Sequence, residues 1–248
     1  MNKTVFITGA NGGIGRALVE EFSKAGYDII AHARNLEFQE FLDNISTKYG
    51  NTITTAIFDM RDSETMKQSV NQIIKSRIPI TTLVNNAAIG HRKLFSMTSI
   101  SQIREVFEIN FFAQLELTQL FLRYISKQEN SSIINISSID GLDLFAGTCA
   151  YGSSKAALIA FTKSLASEYR FHNTRINTIA PGITEAKMAG FLKENIAEKV
   201  LEKSAMKRKA KADEIAKIAV FLASEDASFM NGQVIRSDGG GIFNANFS

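Results

Sequence analysis

Cysteine is all but missing from this 248-residue chain: Cys149 stands alone, so no internal disulfide can form. That usage fits a reducing compartment, and a cytoplasmic protein is expected. Proline is nearly as scarce. Pro79 and Pro181 are the two present, and neither interrupts a run that reads as a strand. No apolar run approaches the ~18 residues of a spanning helix, so no membrane partner is expected. The first apolar run starts within four residues of Met1, which leaves no room for the segments of a signal peptide. Charge of one sign is also in short supply, since 28 Lys and Arg face 25 Asp and Glu. Nucleic-acid binding needs a denser basic stripe with interleaved aromatics, so that class is excluded. His32, His91 and His172 are scattered without ligand spacing, and no metal site is expected. The lysine-bearing loop of nucleotide hydrolases is absent too.

What is present points to one large α/β domain over residues 1–248. Apolar residues make up 45% of the chain and charged ones 21%, the balance of a soluble globular domain with a sizeable core. Short apolar runs recur: TVFIT, DIIAH, TTAIF, TTLVN, SIINIS, TRINTIA and GQVIR. They are apolar at nearly every position, as in strands covered on both faces. Amphipathic stretches lie between them. Leu18, Val19, Phe22 and Ala25 keep helical spacing before Gly26, and Ile215, Ala216, Ala219, Val220 and Leu222 do so after Asp213. The alternation predicts a Rossmann-type, doubly wound parallel sheet of about seven strands.

The first turn is unusually rich in glycine. TGANGGIG runs from Thr8 to Gly15, between the first strand and the first helix. In doubly wound sheets, ligands bind beyond the carboxyl ends of the strands. Glycines there permit a tight turn and close approach to a pyrophosphate, and a helix N-terminus favours its charge. Gly9, Gly13 and Gly15 have the spacing G-x-x-x-G-x-G.

A second stretch carries acid–base chemistry. Tyr151 and Lys155 are four residues apart on a predicted helix and share a face. Ser138 follows the fifth strand at the ligand-binding edge. A phenol titrates near pH ~10 unless a neighbouring cation lowers it. A serine hydroxyl beside it would hold a carbonyl oxygen, a set suited to protonating a carbonyl as hydride arrives.

With TGANGGIG, NNAA at Asn85–Ala88, Asn110 within FEINFF, Ser138, YGSSK and PGIT in place, the chain resembles the short-chain dehydrogenase/reductase family along its whole length. It most resembles the 3-oxoacyl-(acyl carrier protein) reductase-like group. The resemblance implies the following. Tyr151 donates the proton, Lys155 lowers its pKa and binds the nicotinamide ribose, Ser138 positions the carbonyl, and Asn110 holds a water leading to Lys155. NADP(H) is contacted by Thr8, Gly9, Asn11, Gly12, Gly13, Ile14 and Gly15 in the turn, and by Asp59 and Met60 near the adenine. Asn86, Ala87, Tyr151, Lys155, Pro181, Gly182 and Thr184 complete that surface. Residues at about 185–210 form a substrate lid, and a homotetramer is expected.

Arg34 selects the cofactor. An acidic residue ending the second strand would bond a ribose 2′-hydroxyl, but here Ala33 stands there and Arg34 follows. An arginine pairs with a 2′-phosphate, so NADP(H) is expected.

The chain departs from the group's pattern in places. Ala88 replaces a glycine, and Ala186 a threonine. The AMKRKAKADE stretch lacks the usual glycines and prolines, and extra helix is expected there on a solvated basic surface. Cys149 is read as packing. Asp140 sits where relatives carry a small or apolar pocket residue. It is either a solvated loop residue or an acceptor for a substrate hydroxyl. The expected activity is NADP(H)-dependent reduction of a ketone, as in a 3-oxoacyl reductase with acyl carrier protein as partner. The alternatives are an oxidoreductase of a small, soluble hydroxylated carbonyl compound, an epimerase or dehydratase, and a cofactor-binding protein without turnover.

Overall fold

A computed structural model describes residues 3–143, 145–170, 172–186, 201–202 and 204–241. Seven strands form one parallel sheet in the order β3-β2-β1-β4-β5-β6-β7. They are β1 (Thr4–Ile7), β2 (Asp28–Ala33), β3 (Ile53–Ile57), β4 (Ile80–Asn85), β5 (Ser131–Ile136), β6 (Thr174–Pro181) and β7 (Val234–Ser237). Among the described residues the helices are α1 (Gly13–Lys24), α2 (Gln39–Tyr49), α3 (Ser63–Lys75), α4 (Ile100–Phe107), α5 (Ala113–Ile125), α6 (Cys149–Glu168) and α7 (Ala212–Ala223). The predicted Rossmann-type single domain is therefore the observed one.

The inner strands are buried on both faces, whereas the edge strands β3 and β7, expected to be covered likewise, are partly exposed because each has a neighbour on one side only. Side chains alternate across a strand. Val5, Ile7, Ile29 and Ala31 pack with Leu18, Phe22, Ile215 and Ala219 from α1 and α7. Phe6, Ile30, Leu83 and Ile133 pack with Met66, Val70, Leu117 and Phe121 from α3 and α5. Phe121 meets Phe6 at a ring-centroid distance of 4.9 Å. Truncating such a buried ring to alanine costs roughly 3–5 kcal/mol.

Polar side chains cross the middle of the sheet in a connected chain. Asn85 on β4 donates to Asn135 on β5 (2.8 Å) and to Thr118 on α5 (2.9 Å). Asn135 donates to Thr162 on α6 (2.8 Å), which also accepts from Thr178 on β6 (2.8 Å). All five are buried.

Several local expectations are adjusted. The α1 helix ends at Lys24, so Ala25 falls at the C-cap and is exposed. A π-helical turn, Glu108–Phe112, separates α4 from α5. The AMKRKAKADE stretch gains no helix before Ala212. Lys207 has a positive φ of 49°, which a helix does not admit. Arg208 instead pairs with Glu214 at 2.7 Å. Cys149, expected to pack, is exposed. Most of the expected lid, residues 187–200 and 203, lies outside the described residues.

Candidate active site

The carboxyl ends of β1 and β4 are tied together first. The Thr8 hydroxyl accepts from the Asn86 and Ala87 amides at 2.7 and 2.9 Å. The Asn86 side chain donates back to the carbonyls of Thr8 (2.9 Å) and Gly9 (3.2 Å). Gly9 has φ +63°, and a Cβ there would stand 2.9 Å from the Ala87 Cα. A side chain would meet both strain and a clash. At Gly15 a Cβ would fall 2.0 Å from the Gly9 carbonyl oxygen, so glycine lets α1 start directly against the turn. No side chain caps the start of α1, where Gly12 is the N-cap.

His32, set aside in the sequence as a scattered histidine, takes part in this turn. Its Nδ1 accepts the Gly9 amide at 3.3 Å, and Nε2 contacts the Phe58 carbonyl at 3.0 Å. A carbonyl can only accept, so Nε2 carries the proton. Burial pulls the imidazole pKa down to about 4. The neutral ring is therefore a fixed acceptor, and no sequence spacing links it to a glycine 23 residues away.

A cavity of about 700 Å³ opens beyond these strand ends. Gly9, Asn11, Gly12, Gly13 and Ile14 line one end, together with Arg34, Asp59, Met60, Asn86 and Ala87. Ser138, Asp140, Tyr151 and Lys155 line the other, with Pro181, Gly182 and Thr184 between. Thr8, Gly15 and Asn110 do not line it. The first two shape the turn from behind. Asn110, in the π-helical turn, accepts from the Ile89 amide (2.8 Å) and donates to the Ile89 carbonyl (3.0 Å) and to Ser154 (3.3 Å). It thereby fixes the cavity wall at Ile89. Arg92, Phe145 and Lys209 also line the cavity; Lys209 falls within the expected lid, and no motif in the sequence marked the other two.

Asp59 holds Arg61 in a two-point contact, with Nε to Oδ1 at 3.1 Å and Nη2 to Oδ2 at 2.7 Å. That hydrogen bonding holds its carboxyl near a pKa of about 2.

At the other end Tyr151 and Ser138 line the cavity together. Lys155, one turn along α6, donates from Nζ to the Ile136 carbonyl at 2.8 Å. The resemblance implies a lowered phenol. Here burial first, and the Asp140 carboxylate second, push the Tyr151 pKa up, against the pull of Ser138. Lys155 does not reverse this, because burial pulls its own pKa down to about 7 and its ammonium faces a carbonyl. A protonated phenol beside a hydroxyl can donate to a carbonyl oxygen placed between them.

The sequence model of one family, short chain dehydrogenase, matches residues 3–197. The chain belongs to the short-chain dehydrogenase family. Relatives of this family extend the likeness over nearly the whole chain. A 3-oxoacyl-(acyl-carrier-protein) reductase of Aquifex aeolicus is 35% identical over 239 residues, 96% of each chain. An acetoacetyl-CoA reductase of an Acinetobacter strain is 29% identical over 96% of this chain and 97% of its own. Among solved structures, ElxO with NADP bound superposes with a TM-score of 0.87 at 31% identity, covering 97% of this chain and 98% of that one. A dehydrogenase/reductase from Sinorhizobium meliloti gives 0.86 at 27% identity over 96% and 94%. This short-chain dehydrogenase thus shares the fold of these relatives. Among its described residues no helix is long and apolar enough to cross a membrane, and no cluster of His, Cys, Asp or Glu suits a metal ion.

Proposed function

We propose that this protein is an NADP(H)-dependent oxidoreductase that reduces a ketone to a secondary alcohol. The observation that carries the reading is that Ser138, Tyr151 and Lys155 share one cavity with the glycine turn. The site fits a dinucleotide on its own geometry. The Gly9 cradle has no space for a Cβ, and α1 starts without a side-chain cap, which suits an anion at its first amide groups. Gly12, Gly13 and Ile14 hold the pyrophosphate. Asp59 and Met60 flank the adenine, with Asn86 and Ala87 beside its ribose. Arg34 pairs with a 2′-phosphate, which a carboxylate at Ala33 would repel. Lys155 holds the nicotinamide ribose, and Pro181, Gly182 and Thr184 pack against the nicotinamide.

When bound, the reduced nicotinamide supplies a hydride to the carbonyl carbon. The chain supplies the rest. Ser138 donates a hydrogen bond to the carbonyl oxygen and fixes its direction. Tyr151 transfers its phenolic proton to that oxygen, leaving an alcohol and a phenolate. The Lys155 ammonium stabilises the phenolate and passes it a proton, and Asn110 holds the route by which Lys155 is then reprotonated from solvent. Residues at about 185–210 close over the substrate. The place of Thr184, Glu185 and Lys209 on the cavity supports that reading. Leu94, Phe95, Met97, Ile100 and Phe112 are exposed in and around α4, which supports assembly of the tetramer through α4 and α5.

Two substrate classes are compatible with the cavity. The likeness to 3-oxoacyl reductases favours a 3-oxoacyl thioester, with acyl carrier protein as partner. Asp140 favours a soluble, hydroxylated ketone. The deciding experiment follows NADPH absorbance with 3-oxoacyl thioesters, hydroxyketones and cyclic ketones. Turnover of at least one class, lost in Tyr151→Phe, is expected. No oxidation of NADPH by any of them would refute ketone reduction.

A further inference from the structure

The cavity contains a charged group that the proposed reaction does not use. Asp140 sits in the short 3₁₀ turn Ile139–Gly141, directly after Ser138, and its amide donates to the Ser138 hydroxyl at 3.1 Å. The residue lines the cavity and is 8% exposed. Its Oδ2 is sealed from water and has no hydrogen-bond partner among the described residues. A buried carboxylate oxygen without a donor is costly. Native structures rarely keep one without a reason.

The charged and titratable groups acting on Asp140 are Arg92, Asp143 and Tyr151. Asp143 is engaged elsewhere, with Arg236 at 2.6 Å, and that arginine also pairs with Asp238 at 2.5 Å. Arg92 lines the same cavity and attracts the Asp140 charge. The carboxylate thus already has a nearby cation but lacks a donor at Oδ2. An alkyl chain brings no donor to that atom, and a second cation would have to be desolvated beside Arg92. A neutral hydroxyl supplies the donor at the least desolvation cost.

Resting on the ketone reduction proposed above, we infer that the natural substrate is a hydroxylated ketone whose hydroxyl donates to the carboxylate of Asp140 while its carbonyl oxygen lies between Ser138 and Tyr151. Asp140 follows Ser138 by two residues within one turn, so the hydroxyl belongs on a carbon close to the carbonyl. Burial raises the Asp140 pKa to about 6, so the group is still mainly a carboxylate acceptor at pH 7.5.

The test compares 2-hydroxycyclohexanone with cyclohexanone, which differ by one hydroxyl. The readout is the ratio of their kcat/KM values with NADPH in the wild type, Asp140→Leu and Asp140→Asn. The ratio cancels any general loss of activity. A site built around a substrate hydroxyl rejects the analogue lacking it. The wild type should favour the hydroxyketone by roughly ten- to a hundredfold. Asp140→Leu should bring the ratio near one, and Asp140→Asn, which keeps an acceptor of the same shape, should fall between. A wild-type ratio near one, or a ratio unchanged in both variants, overturns the inference. Thermal shifts with each ketone give a readout apart from turnover. The hydroxyketone should raise the wild-type Tm more than cyclohexanone does, and this difference should vanish in Asp140→Leu. If neither ketone is reduced, the ketone reading fails. Equal thermal shifts from the two ketones sink the Asp140 assignment.

Discussion

Lys155 stands one helical turn from Tyr151, with its ammonium 5.9 Å from the centroid of the phenol ring. Both side chains are buried in the wall of the cavity, and the phenol is held protonated by its surroundings. Tyr151→Phe removes that proton and little else. Loss of a general acid typically lowers the rate by ~10²–10⁴-fold. The expected result is a fall of that size in kcat, with NADPH affinity within a few-fold of wild type by fluorescence titration. Near-normal turnover on an accepted ketone would exclude Tyr151 as the donor.

Lys155→Met should separate stability from activity. Burial pulls the folded pKa of Lys155 down to about 7 from 10.5. The unfolded chain binds more protons between those values, so this residue makes wild-type stability rise with pH across that window. At and below pH 7 the buried ammonium is a net cost, on the order of 2–5 kcal/mol before the Ile136 hydrogen bond is counted. Lys155→Met should therefore lose turnover and cofactor affinity yet melt at a higher temperature at pH 7. The advantage should shrink toward pH 10. A lower Tm for the variant at pH 7 would contradict the burial cost.

Asp140→Asn should show the opposite pH dependence. The folded pKa of about 6 lies above the ordinary 3.8. The native state then binds more protons between those values, and wild-type stability falls as pH rises through pH 4 to 6. Above that window the charged form costs about 3 kcal/mol. The amide keeps the shape without the charge. Calorimetric melts at pH 8 should show the variant more stable, with the difference vanishing near pH 4.

The strands were readable because each face of the sheet has its own apolar layer, as with Val5 and Ile7 on one side and Phe6 on the other. The glycine turn, Ser138, Tyr151 and Lys155 were readable because local spacing determines their place. Other features depend on contacts that no short stretch encodes. Asp140 reads slightly better in the sequence as a solvated loop residue but is buried, since its burial comes from the docking of its turn on α6. The π-helical turn at Asn110 interrupts a sequence whose apolar pattern continues through it. The basic loop carries good helix formers, but Arg208 and the Lys211 amide bind Glu214 instead, at 2.7 Å each.

Cofactor preference should depend on Arg34. It is exposed at the cavity edge immediately after β2. With a charge-assisted contact to a 2′-phosphate, the wild type should prefer NADPH to NADH in kcat/KM. Arg34→Ala should erode that preference by roughly tenfold or more, mainly through KM. Indifference to the substitution would remove Arg34 from this role.

His32→Leu should weaken cofactor binding from behind the turn. The leucine fills much of the ring's space but leaves the Gly9 amide without its acceptor. An unpaired buried amide costs roughly 1–3 kcal/mol. The NADPH dissociation constant should rise about five- to a hundredfold, with kcat at saturating cofactor changed far less. An unchanged dissociation constant would mean that the Gly9 contact does not position the turn.

The amide and hydroxyl chain from Asn85 through Asn135 to Thr162 and Thr178 has a consequence for how the sheet assembles. Parallel apolar strands of valine and isoleucine are nearly interchangeable under sliding, because each residue resembles the next. Asn85 meets Asn135, and Asn135 meets Thr178, at matched positions along neighbouring strands. A slip of one residue turns an amide to the other face and strands it among hydrocarbon. The ladder therefore ties the alignment of β4, β5 and β6 to the pairing of their buried amides and hydroxyls.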